Sequence, residues 1–164
     1  MLPGNGCAML NVHVKRDTTA SPEPVLDTLR DSSPERRGEI WSNITPKRFD
    51  LHAWGSDFLE VTEGTFIAGV FWERSRYEWS EPGRLTATVL ESNVFKPGST
   101  FELRATPSKA GGSEVDMTIR REYQRSPKGR VAALVNHLGG RRLFGWYLAT
   151  ALKALEKRSA ASHA

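Results

Sequence analysis

SPKGRVAALVNHLGGRRLFGWYLATALKAL, running from Ser126 to Leu155, is the stretch on which the fold turns. Ser126 followed by Pro127 is a helix start: a serine cap, then proline at the first helical position, where its missing N–H costs nothing. Val131, Leu134, Val135 and Leu138 recur at helical spacing, and Phe144, Tyr147, Leu148, Ala151, Leu152 and Leu155 resume the pattern after a break. The spacing predicts one amphipathic helix of roughly 30 residues, far above the average length. Gly139 and Gly140 at its middle should kink or loosen it.

Upstream the punctuation changes. From Phe49 to Tyr123, turn signals fall at Gly55, Gly64, Glu81-Pro82-Gly83, Lys96-Pro97-Gly98 and Ala110-Gly111-Gly112. Between them lie runs of about 8 to 14 residues rich in Val, Thr, Phe, Trp and Leu, a composition that suits a pleated, half-buried surface. Connections this short join antiparallel neighbours, so a meander of about six strands is expected. Nearer the start, Leu10, Val12 and Val14 alternate with Asn11, His13 and Lys15, the signature of a further strand. Ser21-Pro22 and Ser33-Pro34-Glu35 then open two short helices, which carry Val25, Leu26 and Leu29, and Ile40 and Trp41. The expected fold class is α+β: a curved antiparallel sheet of about seven strands, two short helices and a long C-terminal helix. That helix can bury its stripe only against the concave side of the sheet, and the space between them is where a ligand cavity forms. Residues 9–158 are read as a single domain, with residues 1–8 and 159–164 as flexible tails.

Composition agrees with one domain. The chain has 164 residues, and two cores would leave each half poorly buried. No run reaches the roughly 18 apolar residues that cross a bilayer. Residues 1–10 lack a basic start followed by an apolar run, so the expected location is cytoplasmic. A single cysteine, Cys7, excludes an intramolecular disulfide and a multi-cysteine zinc site. The charge is +4, from 23 Lys and Arg against 19 Asp and Glu. Basic residues concentrate near the C-terminus, at Lys128, Arg130, Arg141, Arg142, Lys153, Lys157 and Arg158, where a solvated helix face is the simpler reading and a nucleic-acid surface the other.

The order of elements resembles the START-like (SRPBCC) superfamily, and within it the polyketide cyclase/dehydrase and lipid-transport family. The resemblance is carried by Val12-x-Val14, by Ala20-Ser21-Pro22-Glu23-Pro24-Val25, and by Trp41 closing the second short helix. It continues in Leu90-Glu91-Ser92-Asn93-Val94-Phe95-Lys96-Pro97-Gly98-Ser99 and in the ending from Leu138-Gly139-Gly140-Arg141 to Glu156. What it implies is a helix-grip fold with a hydrophobic or amphipathic small-molecule cavity between sheet and C-terminal helix. It implies no particular catalytic motif.

Strict alternation assigns the inner face. Phe71, Glu73, Ser75, Tyr77 and Trp79 share one side of a strand, and Leu85, Ala87, Val89, Glu91, Asn93 and Phe95 share the same side of the next. Phe101, Leu103 and Ala105 follow, then Val115, Met117, Ile119, Arg121 and Tyr123. Glu73, Glu91, Asn93 and Arg121 are the polar members of this list. A buried charge without a partner costs several kcal/mol, so these residues should pair or face a cavity, with Glu91 or Glu73 set against Arg121. The other reading places them at solvated strand ends. The candidate ligand-binding set is Phe71, Glu73, Tyr77, Trp79, Val89, Glu91, Asn93, Phe95, Met117, Arg121 and Tyr123, with Leu148 from the helix. His13, His52, His137 and His163 are scattered with no metal-ligand spacing, so neither a metal nor another cofactor is expected.

The function expected from these residues is binding of a hydrophobic or aromatic small molecule such as a lipid, polyketide or isoprenoid, by a protein that is a binder before it is an enzyme. One alternative is a polyketide cyclase or dehydratase using Glu73, Glu91, Tyr77, Tyr123 or Arg121 as acid–base groups. Another is an interaction module whose basic C-terminal helix meets RNA or an acidic protein. The partner expected is the small molecule alone, with nucleic acid not favoured, and the chain is read as a monomer or homodimer.

Overall fold

A computed structural model describes residues 9–65 and 70–162. Cys7, His163 and the N-terminal tail read at residues 1–8 lie outside the described residues. In chain order the elements are β1 (Met9–Thr18), α1 (Pro22–Arg30), α2 (Pro34–Ile40), β2 (Ile44–Trp54), β3 (Phe58–Thr65), β4 (Phe71–Glu78), β5 (Arg84–Ser92), β6 (Thr100–Pro107), β7 (Ser113–Glu122) and α3 (Pro127–Ala161). The seven strands form one antiparallel sheet in the order β1-β7-β6-β5-β4-β3-β2. The six-strand meander and the N-terminal strand are therefore as the sequence predicts. β1 reaches the far side of the sheet because α1 and α2 carry the chain from one edge to the other.

Each helix begins at its Ser-Pro signal. Ser33 Oγ accepts from the Arg36 N–H at 3.4 Å and Ser126 Oγ from the Gly129 N–H at 3.1 Å, whereas Ser21 makes no side-chain cap bond. The tight β6–β7 turn needs Gly112, whose φ is 73° and whose place leaves 2.0 Å between an added Cβ and the Thr18 carbonyl oxygen. Only glycine fits there.

The sheet buries one face and wets the other. Leu59, Val61, Leu85, Ala87, Leu103, Val115 and Met117 are almost wholly buried beneath the helices. The outer face carries cross-strand ion pairs, among them Arg74–Glu60, Arg84–Glu102 at 2.6 Å and Lys15–Glu114 at 3.1 Å. Arg84 is held above its ordinary pKa by hydrogen bonds to Glu81 and Glu102.

Helix α3 departs from the expected stripe in two ways. It runs unbroken through Gly139 and Gly140 and continues to Ala161. It also buries small residues in its first half: Gly129, Ala132 and Gly140 are buried, while Val131, Leu134 and Leu138 are 55%, 60% and 78% exposed. Close approach selects this face. An added Cβ on Gly129 would lie 2.1 Å from the Gln124 carbonyl oxygen, and one on Gly140 would lie 3.3 Å from Leu10. In the second half, Leu148, Ala151, Leu152 and Leu155 are buried as the periodicity predicts.

Candidate functional site

A cavity lies between the concave sheet and α3. About 130 Å³ of it is open to the centre of a water molecule, an order of magnitude above the roughly 10–15 Å³ that one water needs. Strands contribute Ile44, Glu63, Phe71, Glu73, Tyr77, Phe101, Met117, Ile119 and Arg121, and the loop after β5 contributes Val94 and Phe95. Leu29, Trp41 and Asn43 close one side, and Ala132, Val135, Asn136, Leu143, Phe144 and Tyr147 of α3 form the roof. The small side chains that bring α3 close also leave this space unfilled.

Two ion pairs stand at the cavity: Glu63, Glu73 and Arg121 line it, and Arg37 lies behind Glu63. Arg37 of α2 is fully buried and its guanidinium meets Glu63 Oε1, with Nε at 2.9 Å and Nη2 at 2.6 Å. Its Nη1 also donates to the Leu29 carbonyl. Tyr77 donates its hydroxyl to Glu63 Oε2 at 2.7 Å, and its ring centre lies 4.8 Å from the Arg37 guanidinium carbon. Burial alone would lower the pKa of Arg37, but Glu63 and Tyr77 together hold it above its ordinary value. Tyr77 is pushed well above the usual phenol value, first by burial and then by the Glu63 charge. The phenol therefore stays protonated at neutral pH.

The second pair joins strands distant in sequence. Arg121 Nη2 donates to Glu73 Oε1 at 3.0 Å, with the two side chains 11% and 8% exposed. Ser75 Oγ also donates to Glu73 Oε1 at 3.3 Å. The Arg121 guanidinium lies 4.8 Å from the centre of the Phe95 ring, which packs at 5.4 Å on Tyr123. Asn136 Nδ2 donates to the Tyr123 hydroxyl, and the Tyr123 pKa is raised by burial against the opposing pull of that bond and of Arg121.

Of the residues the sequence singles out, Phe71, Glu73, Tyr77, Phe95, Met117 and Arg121 come together at the cavity. Val89 and Leu148 are buried in the surrounding core, and Tyr123 supports Phe95 from behind. Trp79 is half-buried beyond the end of β4, where its Nε1 donates to the Ser56 carbonyl at 3.0 Å.

Glu91 and Asn93 need correction. The pairing of β4 with β5 runs Arg74 to Glu91 and then Ser75 to Val89, so Leu90 is an extra residue in the ladder. This bulge ends the strict alternation. Leu90 and Glu91 both face solvent, and Ser92 and Val94 take the inward positions instead. Glu91 is thus no partner for Arg121. Asn93 ties the loop to the start of β4, accepting from the Trp72 N–H at 2.9 Å and donating to the Val70 carbonyl at 2.9 Å.

Sequence reasoning missed Arg37, Glu63, Asn43 and the polar part of the α3 roof. Glu63 had a signal, because Leu59, Val61 and Glu63 share one side of an alternating strand. Arg37 had a weaker one, lying three and four residues before Ile40 and Trp41 on the buried face of α2. None of the described histidines lines the cavity: His13 meets Asp116 at 2.6 Å, His52 meets Thr62 at 2.8 Å, and His137 is exposed. No group of three His, Cys, Asp or Glu side chains among the described residues is placed to hold a metal.

With this geometry in hand, the fold can be set against known structures. An aromatase/cyclase, Zhui from Streptomyces sp. R1128, superposes with a TM-score of 0.74 at 16% identity, covering 92% of this chain and 96% of that one. The fold is START-like. A START superfamily protein from Mycobacterium smegmatis gives a TM-score of 0.60 at 15% identity, covering 92% of this chain and 95% of that chain. The major latex-like protein 151 of Panax ginseng gives 0.61 at 15% identity, with coverage of 93% and 98%. No protein-family model and no curated protein sequence matches the chain. At these identities the likeness is one of START-like architecture, with an aromatase/cyclase and a latex-like protein among those sharing it.

Proposed function

We propose that the protein binds a hydrophobic or aromatic small molecule in the cavity between the sheet and α3. The observation that carries this reading is the cavity itself: an apolar chamber walled by Phe71, Phe95, Phe101, Met117, Ile119 and Phe144, whose charged groups are already paired with one another. Burying an aromatic ligand there removes apolar surface from water on both sides, the main source of affinity in such pockets. The START-like architecture shared with an aromatase/cyclase and a latex-like protein supports the same reading.

Cyclase or dehydratase chemistry is the second reading, favoured by the presence of Glu73 and Tyr77 in the wall. Their contacts argue for holding rather than reacting. Glu73 is engaged by Arg121, and the Tyr77 proton is directed at Glu63 and not into the chamber. A general acid needs a free proton aimed at the reacting atom.

Titration with a neutral lipophilic fluorophore, N-phenyl-1-naphthylamine, tests the binding reading. Saturable binding at about micromolar affinity is expected, with native mass spectrometry giving one ligand per chain. Ala132→Trp, which places a large ring in the roof, should abolish binding while circular dichroism remains that of the wild type. Unchanged binding in a folded Ala132→Trp protein would show that the dye sits elsewhere. Turnover of a poly-β-ketone mimic, lost in Glu73→Gln, would favour the enzyme.

A further inference from the structure

The first half of α3 is built inside out. Gly129, Ala132 and Gly140 are buried, while Val131, Leu134 and Leu138 are exposed, at the three- and four-residue spacing that sets side chains on one side of a helix. Trp146 is exposed about two turns further on, so the apolar line runs for about 22 Å at the helical rise per residue. None of these four residues lines the chamber. Exposed apolar residues scattered singly are ordinary, but a continuous line of aliphatics with a tryptophan marks a surface that something covers.

Charge narrows what that cover is. From Gln124 to Leu155 the chain has no Asp or Glu, and it has Arg125, Lys128, Arg130, Arg141, Arg142 and Lys153. Lys128, Arg130, Arg141 and Arg142 are exposed beside the apolar line, with Arg142 about three turns beyond Val131 on the same side. Among the described residues none of these four has an ion-pair partner, whereas Lys15, Arg74 and Arg84 on the outer sheet face all do. A second copy would bring the same cations against these, so the face repels itself. A nucleic acid would satisfy the cations but leave the three aliphatics unburied, since they offer bases no stacking surface. An anionic bilayer meets both needs: headgroups take the cations, the acyl boundary takes the aliphatics, and tryptophan favours the level between them. No helix among the described residues is long and apolar enough to cross a membrane, so the contact is one of lying along it.

We propose that the outer face of α3 from Lys128 to Trp146 docks on an anionic lipid bilayer, with Val131, Leu134 and Leu138 in the acyl boundary and Lys128, Arg130, Arg141 and Arg142 among the phosphates. Long lysine and arginine stems let the charges reach the headgroups while the aliphatics enter. Docking of this kind is independent of what occupies the chamber.

Vesicle flotation with the full chain tests the proposal. Vesicles of phosphatidylcholine with about 30% phosphatidylglycerol should bind the protein at least about tenfold more tightly than phosphatidylcholine alone, at about 0.1 M salt. Arg141→Gln with Arg142→Gln should weaken binding to the anionic vesicles at least about tenfold. Leu134→Ser with Leu138→Ser should weaken it by a similar factor, through lost insertion. Acyl-brominated lipid should quench the tryptophan emission of the wild type and not that of Trp146→Phe. Both double variants change exposed residues off the chamber, so their circular dichroism, melting temperature and N-phenyl-1-naphthylamine binding without vesicles should match the wild type. Binding to neither vesicle, or equally to both, would overturn the proposal and leave the chamber's function standing. Vesicle binding that the leucine pair leaves unchanged would overturn it too, because charge alone would then hold the protein. Tighter binding of a uridine oligonucleotide that displaces the vesicles would assign the face to nucleic acid instead. Sedimentation as a dimer that Leu134→Ser with Leu138→Ser dissociates would assign it to a second copy.

Discussion

Tyr77 shows how one side chain couples fold and chamber. Its ring lies against Arg37, its hydroxyl donates to Glu63, and all three are buried. Because burial and the Glu63 charge raise its pKa well above 10, the folded protein keeps this proton at a pH where the unfolded chain loses it. The contribution is complete below the unfolded value near 10 and is lost as pH rises toward the folded value. Tyr123 and Tyr147 are raised too, by burial. A phenolate absorbance titration should therefore give midpoints above 10 for the native protein and near 10 in denaturant, with thermal stability falling through the same alkaline window. Native and denatured curves that coincide would contradict the buried network. Neighbouring carboxylates make a sharper contrast. Glu63→Gln leaves Arg37 buried without its counter-charge and should cost about 3–5 kcal/mol in denaturant melts. Glu91→Gln, on the solvent side of the bulge, should change stability by less than about 0.5 kcal/mol. At this scale sequence alone could identify Glu73 and Arg121 as inward, because alternation holds through β4 and β7. It could not identify Glu91 as outward, because the extra residue at Leu90 leaves no mark in composition.

Helix α3 is where element-scale reasoning both works and fails. Its start, its length and its buried second half were legible from the Ser-Pro signal and the spacing of Leu148, Ala151, Leu152 and Leu155. The first half was not, since a helix can pack by its large residues or by its small ones, and periodicity rewards the large. Close approach decides, and it is set by Gln124 in the loop before α3 and by Leu10 of β1. The glycines consequently differ in what they tolerate. Gly139 meets nothing within 4 Å, so Gly139→Ala removes backbone freedom from the unfolded chain at no steric cost. It should stabilise the protein by about 0.5–1 kcal/mol. Gly129→Ala, facing the Gln124 carbonyl, should destabilise it, and Leu148→Asp should cost several kcal/mol by burying an unpaired charge. Thermal melts of the three variants in that order check the packing of the whole helix. A Gly139→Ala protein less stable than wild type would mean that α3 meets a neighbour at that point.

The molecule as a whole separates two kinds of charge. The chain carries +4, and α3 bears exposed Lys128, Arg130, Arg141 and Arg142, whereas the chamber beneath is balanced by its own pairs. Surface charge attracts anions over a distance that salt shortens, from about 30 Å at 0.01 M to about 3 Å at 1 M. Buried, paired charge is screened far less. If recognition resides in the chamber, affinity for a neutral ligand should barely respond to ionic strength. An anionic ligand held by the basic face of α3 would instead weaken steeply with salt, since counterions replace the contacts. N-phenyl-1-naphthylamine titrated from about 50 mM to about 500 mM NaCl should accordingly show a dissociation constant that changes by less than about twofold. The same ligand should raise the melting temperature at every salt concentration, because binding to the folded state alone adds stability in proportion to the logarithm of ligand over Kd. Dye binding that changes several-fold with salt would contradict recognition by the balanced chamber.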